Sequence, residues 1–86
     1  MEEALLKGRI QPGMFPTEVF LSFQDTSGEP MMVIVPDVWV VERDSKQYVR
    51  VRLLESNNGA SVIYVPGEVV QGQAMVSVAS SELVTA

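Results

Sequence analysis

Fifteen of the 86 residues are valine, and most stand in short runs that alternate with polar residues and end at turn-forming ones. A β-branched side chain is stiff at χ1 and packs best on a pleated surface. Apolar residues at a period of two mark a strand half buried against a core. The turns recur too often for a crossover helix to fit between strands. The chain is therefore expected to be all-β: a small antiparallel barrel of five to six short strands, SH3-like or a similar roll.

The strands are read as follows. In 17–24, Val19, Leu21 and Phe23 face one way and Glu18, Phe20, Ser22 and Gln24 the other. The turn 25–30 follows, with Gly28 free to take a positive φ. The run 31–35 is apolar on both faces, which calls for cover on both sides. Pro36-Asp37 interrupts, since proline cannot donate to a ladder. A short strand or irregular crossing spans 38–41, and a polar turn spans 43–46. In 47–55, Val49, Val51 and Leu53 form an inner face and Tyr48, Arg50 and Arg52 an outer one. Asn58-Gly59 predicts a hairpin into 60–65. Ala74, Val76 and Val78 line the last strand, and 80–86 is a tail in which Leu83 and Val84 are placed to cap an open end. No internal repeat is visible.

Residues 1–12 are expected to be an N-terminal arm, flexible or docking, ahead of a single barrel domain over 13–86. Glu3 with Lys7, and Leu6 with Ile10, have the i,i+4 spacing of a helical turn, but Gly8 and Pro12 limit it.

Composition narrows the function. Hydrophobic residues make up 47% of the chain, too many for intrinsic disorder. With no histidine and no cysteine, Ser-His-Asp triads, Cys-His pairs and zinc sites built on those ligands are excluded. The acidic residues fall in turns and at strand ends, where a solvated charge is the default, so the chain is expected not to be an enzyme and to need no cofactor and no metal. The stretch Asp25 to Glu29 offers oxygen ligands around a glycine but lacks the acidic density and spacing of a calcium loop. Eleven acidic residues against six basic ones give a net charge of −5, which disfavours nucleic acid as a partner. The N-terminus is acidic where a secretory signal is basic, and the longest apolar runs are far too short to span a bilayer. A cytoplasmic protein with no membrane partner is expected, a reading that the lack of cysteine also suits.

The segment Gly8-Arg9-Ile10-Gln11-Pro12-Gly13-Met14-Phe15 resembles the G-x-L-x-P-G-M-F stretch of bacterial periplasmic adaptor (membrane fusion) proteins, and Val35-Pro36 falls where that family has a Val-Pro step. The likeness covers residues 8–51. It implies a bacterial source and a fragment-like relative of the adaptor barrel. The chain has no room for the lipoyl and hairpin domains of that family, which has no catalytic site to carry over.

The apolar surplus is the most useful functional clue. Met14, Phe15, Phe20, Met31, Met32 and Trp39 cannot all fit one small core. Phe20, Met31, Met32 and Trp39 are expected to form an interface, since aromatic residues and methionine are enriched where proteins meet. Tyr48, Arg50 and Arg52 are candidates for a polar recognition face. The expectation is a non-enzymatic interaction module that self-associates as a homodimer. The alternatives are a small-ligand or carbohydrate-type binder using Trp39 and Tyr64, or a nucleic-acid binder using Arg50 and Arg52.

Overall fold

The computed structural model describes residues 2–86, which form ten strands and two 3-10 turns. The strands are β1 (Glu2–Leu6), β2 (Arg9–Pro12), β3 (Glu18–Gln24), β4 (Pro30–Pro36), β5 (Val40–Arg43), β6 (Lys46–Ser56), β7 (Ala60–Tyr64), β8 (Glu68–Gln71), β9 (Met75–Ala79) and β10 (Leu83–Thr85). The 3-10 turns are Asp37–Trp39 and Ser80–Glu82. All pairings are antiparallel and fall into two sheets. The first runs β10-β1-β6-β7-β9, with β5 also on β6; the second runs β2-β3-β4-β8.

The all-β class and the alternation are as expected, but the strands are ten rather than five or six and they do not close a barrel. At one corner, where a barrel would need a ladder, the turn after β3 makes a bond from Thr26 N–H to the Ser77 carbonyl of β9 (3.0 Å). The core lies between the sheets. The first contributes Leu6, Val49, Val51, Ile63, Val76 and Val78, and the second Leu21, Met31, Val33 and Val35. Burying a side chain of this kind contributes about 1.5–3 kcal/mol, so these ten residues dominate the stability.

Residues 2–12, within the segment expected as a flexible or docking arm, run mostly as strands. Met1 lies outside the described residues. β1 sits inside the first sheet between β10 and β6, with Ala4, Leu5 and Leu6 buried. Pairing on both edges overrides the weak helical spacing. The chain then leaves the first sheet at Lys7-Gly8 and enters the second as β2. Gly8 fits closely there: a Cβ would stand 2.6 Å from Leu21 Cδ1, so a larger residue would have to displace that buried side chain.

The two halves of the chain repeat much of one pattern, displaced by 43 residues from Asp37 to Ser80, although β6 is continuous where β1 and β2 are separate and β8 falls where the first half has a turn. The 3-10 turns match in their flanking dihedrals, Pro36 at −57°, 138° and Ala79 at −60°, 133°. Each returns one bond, from Val40 N–H to Asp37 O and from Leu83 N–H to Ser80 O. Each also anchors to a preceding loop, from Asp37 N–H to Thr17 O and from Ser80 N–H to Gly59 O. Arg9↔Ser22 and Ile10↔Leu21 in one half correspond to Arg52↔Tyr64 and Leu53↔Ile63 in the other. The core follows the same relation: Leu6 with Val49, Leu21 with Ile63, Val33 with Val76, Val35 with Val78.

The last strand of each half crosses to the other half. β5 pairs β6, and β10 pairs β1. Arg43 Nη1 ties the exchanged strands together by donating to the Thr85 carbonyl (2.6 Å). Neither half completes its own sheet, an arrangement equivalent to a domain swap within one chain.

Candidate functional site

β6 carries both faces of the first sheet. Val49, Val51 and Leu53 point to the core, so Arg50, Arg52 and Leu54 point away from it. The register places Glu3, Arg52, Tyr64 and Met75 side by side across β1, β6, β7 and β9. Tyr64 is 46% exposed, Met75 58% and Leu54 40%. The first 3-10 turn brings Trp39 to the same face, with part of its ring packed on the core. Glu3, Trp39, Arg50, Arg52, Leu54, Tyr64 and Pro66 line a groove of about 530 Å³, with Met75 outside its lining.

Two pairs of residues singled out in the sequence for different reasons, Trp39 with Tyr64 and Arg50 with Arg52, thus meet in one groove. Arg50 is half buried, and its Nε is shielded from solvent with no hydrogen-bond partner. A buried donor left unpaired costs about 1–3 kcal/mol. The site has the parts to hold an anionic group: a donor without an acceptor, a second guanidinium, and apolar walls that exclude water. Guanidinium donors match planar carboxylates and stack on aromatic faces. Glu3 is the only acid in the lining, at the Arg52 end.

The matching groove in the other half differs in the residues that matter. Trp39 is replaced by Glu82, Arg50 by Lys7 and Tyr64 by Ser22. That groove is about 250 Å³, and it is lined by one cation, Lys7, and two acids, Asp25 and Glu82. The Lys7 N–H also donates to the Glu82 carbonyl (2.8 Å).

The remaining candidates are dispersed. Met31 is buried at 8% in the core. Phe20 and Met32 lie half buried on the outer face of the second sheet, Phe20 opposite Ile34 and Met32 opposite Ser22. Phe20, Met31, Met32 and Trp39 therefore do not form one patch. Tyr48 is buried at 8%, outside the main core cluster, so it accompanies the arginines in register but not at the surface. The most exposed apolar residues are Met14 at 80%, Val38 at 77% and Phe15 at 64%.

Polar geometry elsewhere is local. Asp25 Oδ1 accepts from Ser27 N–H (2.8 Å), Ser27 Oγ (2.6 Å) and Glu29 N–H (2.9 Å), closing the β3–β4 turn. The Ser27 hydroxyl, aided by these backbone amides, holds the Asp25 carboxyl below its ordinary range. Among the described residues no cluster of three or more acids could hold a metal ion, and no helix is long and apolar enough to cross a membrane.

No family model matches this chain, and no curated protein or solved structure matches it either.

Proposed function

We propose that the chain is a non-enzymatic interaction module of the small SH3-like roll type, and that it works through the outer face of its first sheet. The groove between Trp39 and Tyr64 takes a partner's carboxylate, or a similar planar anion, carried on an apolar side chain or ring. The observation that supports this reading is the orphan Nε of Arg50, set among apolar walls in a groove where two arginines face one acid, whereas acids outnumber the lysine in the matching groove. An acceptor from a partner supplies what that donor lacks.

Trp39 is the chain's one tryptophan, so its emission reports this groove alone. Benzoate, a carboxylate on an apolar ring, should change Trp39 emission saturably, whereas acetate and benzyl alcohol should each act more weakly. Equal responses to all three, or none, would refute the proposal.

A second copy of this chain is the other reading. It draws on the exposed row Leu54, Tyr64 and Met75 beside the groove, and on eleven acidic residues that could supply the anion. Molar mass by light scattering across a dilution series separates the readings. A dimer that Tyr64→Ala dissociates favours self-association; a monomer throughout leaves the groove to a different partner.

A further inference from the structure

The internal duplication gives this protein a control for its own surface. Each half builds a groove between the loop before its second strand and the 3-10 turn that loop anchors. In the second half the groove is closed by polar contacts: Ser61 Oγ and Ser80 Oγ share a hydrogen bond (2.7 Å), and Ser80 Oγ donates to the Asn57 carbonyl (3.0 Å). It measures about 190 Å³. In the first half Val19 stands in place of Ser61, Asp37 in place of Ser80 and Glu42 in place of Thr85. That groove opens to about 670 Å³.

The loops differ in the same sense. The second half turns on Asn57-Asn58-Gly59, whose chemistry a hairpin fully explains. The first half presents Met14-Phe15-Pro16, with Met14 and Phe15 in solvent. The second-half loop is shorter and carries a polar tip, yet anchors its 3-10 turn by the same bond, so that anchoring does not need an apolar tip. An exposed methionine and phenylalanine are a liability for a small domain unless they are covered in use.

The rim decides what covers them. Glu18, Asp37 and Glu42 line the groove, and none of its lining residues is a lysine or arginine. A second copy docking through this same groove would bring its own three acids against these, in a chain already at −5. We infer that the groove between Met14-Phe15-Pro16 and the first 3-10 turn docks a cationic apolar segment of a protein partner, its apolar side chains on Phe15 and Met14 and its lysines or arginines facing Glu18, Asp37 and Glu42. This surface is distinct from the Trp39 groove in place and opposite to it in charge preference.

The test uses a fluorescein-labelled leucine–lysine peptide and its leucine–glutamate counterpart, with binding to the whole chain read by anisotropy. The leucine–lysine peptide should bind, and Phe15→Ser, which keeps every charge, should weaken it about tenfold. Glu42→Gln should weaken it less and flatten its salt dependence. Ser81→Ala, on the second 3-10 turn, should change nothing. Binding of both peptides alike, binding of neither, or full affinity in Phe15→Ser would overturn the inference. A concentration-dependent dimer lost in Phe15→Ser would overturn it in favour of a second copy. The response of Trp39 to benzoate should be the same in Phe15→Ser as in the parent, so the two surfaces fail or succeed independently.

Discussion

Replacing Arg50 with methionine should make this protein more stable while removing its anion response. The Nε of Arg50 is buried without a partner, and such a donor costs about 1–3 kcal/mol. The side chain as a whole is only half buried, and the rest of its guanidinium stays hydrated, so the low end applies. Methionine keeps the apolar stem that packs beside Trp39 and deletes the orphan donor. The expected gain is about 1 kcal/mol. For a domain of this size that raises Tm by roughly 4–8 °C. With a urea m-value of about 1 kcal/mol/M it moves the midpoint up by about 1 M. Equilibrium urea unfolding followed by Trp39 emission, with circular dichroism as a second probe, measures it. If Arg50→Met lowers the midpoint by a comparable amount, Arg50 is satisfied in the free protein, and the argument that its donor awaits an acceptor fails.

Other consequences follow from the same structure. Leu21 and Ile63 occupy corresponding positions and are both fully buried, so Leu21→Ala and Ile63→Ala should each cost roughly 3 kcal/mol and agree within about 1 kcal/mol by urea unfolding. The two-residue turn between β5 and β6 holds Asp44 at φ 54° and Ser45 at φ 65°, a conformation that suits glycine. Ser45→Gly should therefore stabilise by about 0.5–1 kcal/mol in thermal melts. The folded-state pKa of Asp25 lies below its unfolded value, so its contribution is present above the unfolded value and is lost as pH falls through the folded one. Asp25→Asn should flatten the dependence of Tm on pH below about pH 4, and leave it unchanged near neutrality.

How much of this was legible in the sequence depended on whether a signal was local. The alternation in β3, β6 and β9 places Leu21, Val49, Val51, Val76 and Val78 in the core as read, and Asn58-Gly59 makes its hairpin, with Gly59 at φ 104°. β1 was hidden because its place depends on partners far along the chain, Val49 to Leu53 on one edge and Leu83 to Thr85 on the other. Its i,i+4 coincidences mimic a helix over too short a stretch to matter. The duplication was invisible because the halves share burial and register rather than residue identity. Val33 matches Val76 and Val35 matches Val78, but Asp37-Val38-Trp39 answers to Ser80-Ser81-Glu82. Trp39, Tyr64, Arg50 and Arg52 each stand out in the sequence by their chemistry. Their convergence depends on cross-strand register, which a linear reading does not contain. In the sequence Met14 and Phe15 are simply surplus apolar residues, and their exposure takes on meaning beside the polar Asn57-Asn58-Gly59 loop of the other half.

The most direct test of the central claim, that the Trp39 groove is the anion-accepting site, is the side-chain Nε–Hε resonance of each arginine in 15N-labelled protein during a benzoate titration. Arg9 and Arg52 hold corresponding places in the two halves, which makes Arg9 an internal reference. The account predicts that the Arg50 signal moves saturably with a millimolar-range midpoint, on the order of what a fragment-sized ligand achieves. Arg52 should follow it, and Arg9 and Arg43 should stay in place. Uniform small shifts at all four arginines, or movement at Arg9 equal to that at Arg50, would mean that the groove has no preference for an anion.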